Sequence, residues 1–78
     1  MQIPRINYET WEAIADALAH ARSKHPWPHD ASNFYKFRVL VSEVGELAWA
    51  MFWEREPVRI LEESLDCIAV LIRIVEGE

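Results

Sequence analysis

A chain of 78 residues leaves room for one domain, here taken as 1–78, and a hydrophobic share of 51% excludes a disordered one. A formal net charge of -5, from 13 acids against 8 Lys plus Arg, argues against a module that binds nucleic acid polymers through basic groups. It leaves open a phosphate-bearing small ligand, provided metal ions sit between the two sets of negative charge. The single cysteine, Cys67, excludes an internal disulfide and suits a reduced, cytoplasmic setting. "MQIPRINYE" lacks the apolar core of a signal peptide, and the longest apolar run, Leu47 to Trp53, is far too short for a membrane span. A chain this small buries roughly 60% of its unfolded surface, so self-association is expected to complete the core.

The predicted elements are three helices, which makes the fold class all-α. Asn7 is the expected cap of the first, with Glu9 favourable in its first turn. Trp11, Ile14, Ala15, Leu18 and Ala21 then form an apolar stripe. "KHPWPHD", Lys24 to Asp30, ends it, because two prolines one residue apart cannot continue a helix. Ser32 caps a second predicted helix running to about Trp53, with Phe37, Leu40, Val41, Val44, Leu47, Ala48 and Met51 as its stripe. "EREP", Glu54 to Pro57, reads as a turn, with Pro57 at the first position of a third helix that runs to about Glu76. That helix has Leu61, Leu65, Ile68, Ile72 and Val75 on one face and Ile60, Cys67, Val70, Leu71 and Ile74 elsewhere. Such a helix is expected to be buried on two sides, the second against another subunit of an oligomeric bundle.

Two acidic pairs interrupt this pattern. Glu43 and Glu46 lie three apart in the second helix, and Glu63 and Asp66 three apart in the third. Folding the two helices back at "EREP" as an antiparallel hairpin sets Glu43 level with Asp66 and Glu46 level with Glu63. These levels lie roughly 17 and 13 Å from the turn, respectively, at ~1.5 Å per residue. Four like charges in a partly dry groove are costly without compensation. The nearest bases in sequence, Arg38 and Arg59, cannot neutralise them all, whereas Mg²⁺ takes carboxylates and keeps positions for water and phosphates. The plain alternative is a solvated acidic face; the matched levels and apolar flanks favour a metal site. A di-iron bundle would require Glu-x-x-His motifs, and none is present. His20, His25 and His29 read as surface or loop histidines. No nucleophile triad or glycine-rich phosphate loop is visible.

"EVGEL", Glu43 to Leu47, followed by "EESLD", Glu62 to Asp66, resembles the MazG-like all-α nucleoside triphosphate pyrophosphohydrolases over about Phe34 to Val75. The signature of that family is Glu-x-x-Glu, a variable spacer, then Glu-x-x-Asp. The resemblance implies that Glu43, Glu46, Glu63 and Asp66 bind Mg²⁺, which engages a nucleoside triphosphate. It implies cleavage of the α–β phosphoanhydride to a monophosphate and pyrophosphate, with one of the glutamates or Glu62 taking the proton of the attacking water. Noncanonical or deoxynucleoside triphosphates are the expected substrates. Trp53, seven residues after Glu46, is similar to a base-pocket tryptophan of the dCTP pyrophosphatase branch; core or interface packing is the alternative. Trp27 and His29 are weaker pocket candidates. Lys36 and Arg73, seven residues outside the two pairs, are candidate phosphate contacts, with plain solvation as the alternative. Many relatives continue into a further helix with asparagine and lysine positions of their own. A minimal member must supply such groups from elsewhere or from a neighbouring subunit, and a homodimer or homotetramer is expected. The rival expectation is a non-catalytic helical oligomerisation or regulatory module that keeps the fold.

Overall fold

The computed structural model describes residues 6–78. Pro4 and most of the stretch read above for a signal peptide lie outside the described residues. The described residues form three α-helices and no strand: α1 is Tyr8–Lys24, α2 is Asn33–Trp49 and α3 is Pro57–Val75. The helix starts follow local chemistry. The Asn7 side chain accepts from the Thr10 amide at 2.8 Å, and Ser32 Oγ accepts from the Tyr35 amide at 3.1 Å. Pro57 opens α3 at a position where the missing N–H has no helical partner anyway. Arg22 and Lys24 sit in the last turn of α1, where cations complement the helix dipole.

The expected second helix is not one regular element. Its α geometry ends at Trp49, and Ala50–Glu54 continue as a wider π turn. The Arg55 amide closes this turn on the Ala50 carbonyl at 2.7 Å, with Arg55 itself left-handed at φ 57°. That conformation costs a non-glycine residue about 1–2 kcal/mol.

α3 packs against both α1 and α2. At the centre, Trp27, Val39 and Val70 are buried together, with Ala31 and Leu40 packed against them. Trp27 comes from the proline-rich loop, so that loop is part of the core. The Arg73 guanidinium stands over its ring, 3.7 Å from the centroid. Arg73 also donates to the carbonyls of Ala21 (3.0 Å) and His25 (2.8 Å) and to the Glu78 carboxylate (3.1 Å). A desolvated cation–π contact contributes up to about 2 kcal/mol. Arg73 thus ties the end of α1 and its loop to α3.

The predicted stripe of α2 is not the face that the chain buries. Phe37, Val41, Val44 and Met51 are exposed, while Val39, Glu43 and Ala50 are buried, with Leu40 and Leu47 at the edge. α1 buries Ile14 and Ala21 but leaves Trp11 and Ala15 exposed. α3 buries Glu63, Cys67, Ala69, Val70 and Arg73, and exposes Leu61, Ile68, Leu71, Ile74 and Val75. Both α2 and α3 therefore carry an apolar face that three helices are too few to cover. No helix among the described residues is long and apolar enough to cross a membrane.

Candidate metal centre

Glu43 and Glu46 lie one turn apart on α2, and Glu63 and Asp66 one turn apart on α3. The contact between these helices brings the four together: one carboxylate oxygen from each lies within 4.8 Å of all the others. Glu43 is 2% exposed and Glu63 5%, Asp66 is half-buried and Glu46 faces solvent. Glu43 Oε2 and Glu63 Oε2 are buried and accept no hydrogen bond. Each such orphaned acceptor costs on the order of 1–3 kcal/mol. A hard divalent cation with oxygen ligands at about 2.0–2.6 Å joins oxygens up to about 4–5 Å apart. The cluster has that span and that donor type, so it fits hard divalent cations as a class.

Three basic side chains stand against the carboxylates. Lys24 Nζ lies 3.3 Å from Glu43 Oε1 and 3.4 Å from Glu46 Oε2. His25 donates from Nε2 to Glu43 Oε1 at 2.8 Å. Arg59 reaches Glu63 Oε1 at 2.7 Å, Glu62 Oε2 at 2.8 Å and Glu54 Oε2 at 3.4 Å. Sequence reasoning looked to Arg38 and Arg59; Arg59 takes part, Arg38 is exposed, and Lys24 and His25 were missed. His25 is no loose loop residue but a half-buried partner of Glu43. The available signal was the Lys-His pair at the end of α1, just before the prolines that turn the chain back towards α2.

The charges pull the carboxyls apart in acidity. Burial pushes Glu43 upward, but the His25 hydrogen bond and the Lys24 ammonium outweigh it and hold the group below its ordinary value. Glu63 is pushed up by burial first, then by the charges of Glu46 and Asp66. Asp66 is likewise raised by burial, then by Glu43. Burial and the four acids also raise the Cys67 thiol, so it stays protonated and is a poor nucleophile.

Two open cavities flank the cluster. One, of about 580 Å³, lies between α1 and α3 and is lined by Ala17, His20, Lys24, Arg59, Glu63 and Asp66 among others. The other, of about 540 Å³, is lined by Lys24, Gly45, Glu46, Trp49, Arg59 and Glu63 among others. Both volumes suit a small molecule.

The sequence-based ligand contacts fare unevenly. Trp53 is 71% exposed and lines neither cavity; its ring lies 5.7 Å from that of Trp49, which does line one. The π turn explains the swap. Seven α-helical residues return a side chain nearly to the same face, but π residues advance by less than the α-helical ~100° each. Lys36 Nζ sits 5.9 Å over the Trp27 ring. Trp27, Arg73 and Lys36 therefore form one group around the core indole, and none of them lines either cavity. His29 is exposed in its loop, and Glu62 lines the larger cavity, paired with Arg59.

In comparisons with known proteins, no family model matches the chain, and no curated protein or solved structure is significantly similar to it.

Proposed function

We propose that this chain is a MazG-like, Mg²⁺-dependent nucleotide pyrophosphohydrolase that splits (deoxy)nucleoside triphosphates into monophosphate and pyrophosphate. The observation that carries this reading is the four-carboxylate cluster with two buried, unpaired oxygens, set between two open cavities. α2 and α3 act as an antiparallel hairpin with Glu43 level with Asp66 and Glu46 level with Glu63. The electrostatics support that pairing: among acids, Glu43 weighs most on Asp66 and Glu46 most on Glu63. Glu43, Glu46, Glu63 and Asp66 would hold the Mg²⁺. Bound there, it supplies charge to offset the triphosphate and lowers the pKa of a coordinated water. Glu46 and Glu62 are exposed at the cavity walls, and one of them would take a proton from the attacking water. Clearing noncanonical nucleotides in the cytoplasm is the role that fits this activity.

The exposed apolar faces of α2 and α3 support a homodimer or homotetramer. The purified chain is expected to sediment as a dimer or larger at micromolar concentration; a 9.2 kDa species throughout would refute this. The same faces favour the rival reading, a non-catalytic oligomerisation module. An activity panel separates the two. With Mg²⁺ and a series of nucleoside triphosphates, pyrophosphate and monophosphate should appear in equal amounts. Glu46→Gln, at an exposed position, should lower kcat/KM by at least roughly 100-fold with the fold intact. No turnover across the panel, or full activity in the variant, would sink the enzyme reading. Orthophosphate as the product would refute the assigned bond.

A further inference from the structure

The three basic side chains beside the carboxylates differ in what else they hold. Arg59 binds Glu63, but also Glu54 and Glu62, which lie outside the cluster. It stays paired if Glu63 is taken. His25 is fixed at its backbone, because its carbonyl accepts from Arg73 at 2.8 Å. A hydrogen bond from a histidine to a metal-ligating carboxylate is also compatible with a filled site. Lys24 is different. Its ion-pair partners are Glu43 and Glu46, and both belong to the cluster.

Any divalent cation that binds Glu43 and Glu46 competes with the Lys24 ammonium for the same oxygens and repels it. The contacts to be given up, at 3.3 and 3.4 Å, are long beside the roughly 2.7–2.9 Å of a strong charge-assisted bond. Lys24 is the last residue of α1, its side chain is 37% exposed, and its stem is flexible. It lines both cavities. The displaced ammonium therefore has room to turn and needs a new anion.

We propose that Lys24 is an exchangeable counter-ion, which neutralises Glu43 and Glu46 while they hold no metal and passes to a phosphate of the substrate once a divalent cation takes them. The first half rests on the carboxylate geometry alone; the second rests on the nucleotide reading above. The exchange leaves Glu43 and Glu46 with a cationic partner in both states and places a positive charge where the polyphosphate must lie. It also predicts effects of opposite sign. Removing the ammonium should help the cation and hinder the nucleotide. A lysine with a structural role only would affect both alike or neither.

The test uses the full chain with Lys24→Met, which keeps the stem, and Lys24→Arg, which keeps the charge. Calorimetric titration with Mg²⁺ alone should show Lys24→Met binding roughly two- to fivefold tighter than wild type. Titration with a non-hydrolysable α,β-methylene triphosphate in the presence of Mg²⁺ should show it binding roughly tenfold weaker. Lys24→Arg should restore most of the nucleotide affinity. Tighter Mg²⁺ with unchanged nucleotide affinity would overturn the transfer to phosphate. Weaker or equal Mg²⁺ binding would overturn the counter-ion role. In both cases, wild-type binding of the analogue that is lost in Glu46→Gln would leave the proposed function standing. A wild-type chain that binds Mg²⁺ but no triphosphate overturns that function and the transfer together.

Discussion

Glu63→Gln is expected to make the chain more stable in the absence of divalent cations and to abolish their binding. Glu63 is buried, one of its oxygens has no partner, and burial and neighbouring charges already push its carboxyl up. Glutamine keeps the shape and still offers Arg59 a carbonyl, but removes one of four crowded negative charges. Relief of that crowding is expected to add roughly 1–2 kcal/mol at neutral pH, on the order of 5–15 °C in Tm for a domain of this size. The pH dependence follows with a definite sign. The ordinary values are 4.5 for Glu63 and 3.8 for Asp66, and both are raised in the folded chain. Over the window from these values up to the raised ones, the folded state binds more protons than the unfolded state. The cluster's contribution to stability therefore falls as pH rises through that window. Glu43, held below 4.5, acts the other way: its contribution is present above that value and is lost as pH falls further. Chemical denaturation in a chelating buffer, from pH 4.5 to 8, should show a decline for wild type that Glu63→Gln flattens. A variant less stable than wild type at pH 7 would mean that Glu63 contributes more as a partner of Arg59 than it costs as a charge.

Mg²⁺ is expected to reverse that picture and stabilise the wild-type fold strongly. A ligand that binds only the folded state adds about 2.7 kcal/mol at a free concentration 100 times its Kd. For a chain of this length that corresponds to a rise of roughly 10–20 °C in Tm. The ligands must be ionised, so the stabilisation should grow with pH over the window in which the metal-free chain loses stability. A chelator should reverse it. Mn²⁺ should act similarly, since the donors are all hard oxygens. Glu46→Gln and Glu63→Gln should show little of it. Thermal melts at millimolar Mg²⁺ that match those in chelator would refute a metal centre at these carboxylates.

The parts of the fold that depend on neighbours in sequence were legible. Asn7, Ser32 and Pro57 mark the helix starts because capping is local chemistry. The meeting of Glu43, Glu46, Glu63 and Asp66 was legible too, since it needs only helical spacing and a turn of known position. The buried face of α2 was not. An apolar stripe shows that a face wants cover, but not whether this chain or another copy supplies it. Here Phe37, Val41, Val44 and Met51 stay exposed while Glu43 goes inside. Lys24 and His25 escaped notice because prolines hide where a loop goes next. Arg73 was misplaced because its partner, the Trp27 ring, lies 46 positions away in the chain and shares no periodic pattern with it.

The π turn at Ala50–Glu54 has a bearing on insertions and deletions. It behaves as an α-helix that has accommodated one extra residue, at the junction between the two helices that carry the acids. Deleting a residue here would restore regular α geometry but leave Trp53 six residues after Glu46, a spacing that on an α-helix of ~3.6 residues per turn still misses the face of Glu46. It would also take away the spacing that lets the Arg55 amide close on the Ala50 carbonyl, and so disturb the turn that sets how α3 brings Glu63 and Asp66 to Glu43 and Glu46. Surface loops usually tolerate changes of length; this short segment is expected to be the stretch least tolerant of a frame-preserving codon gain or loss.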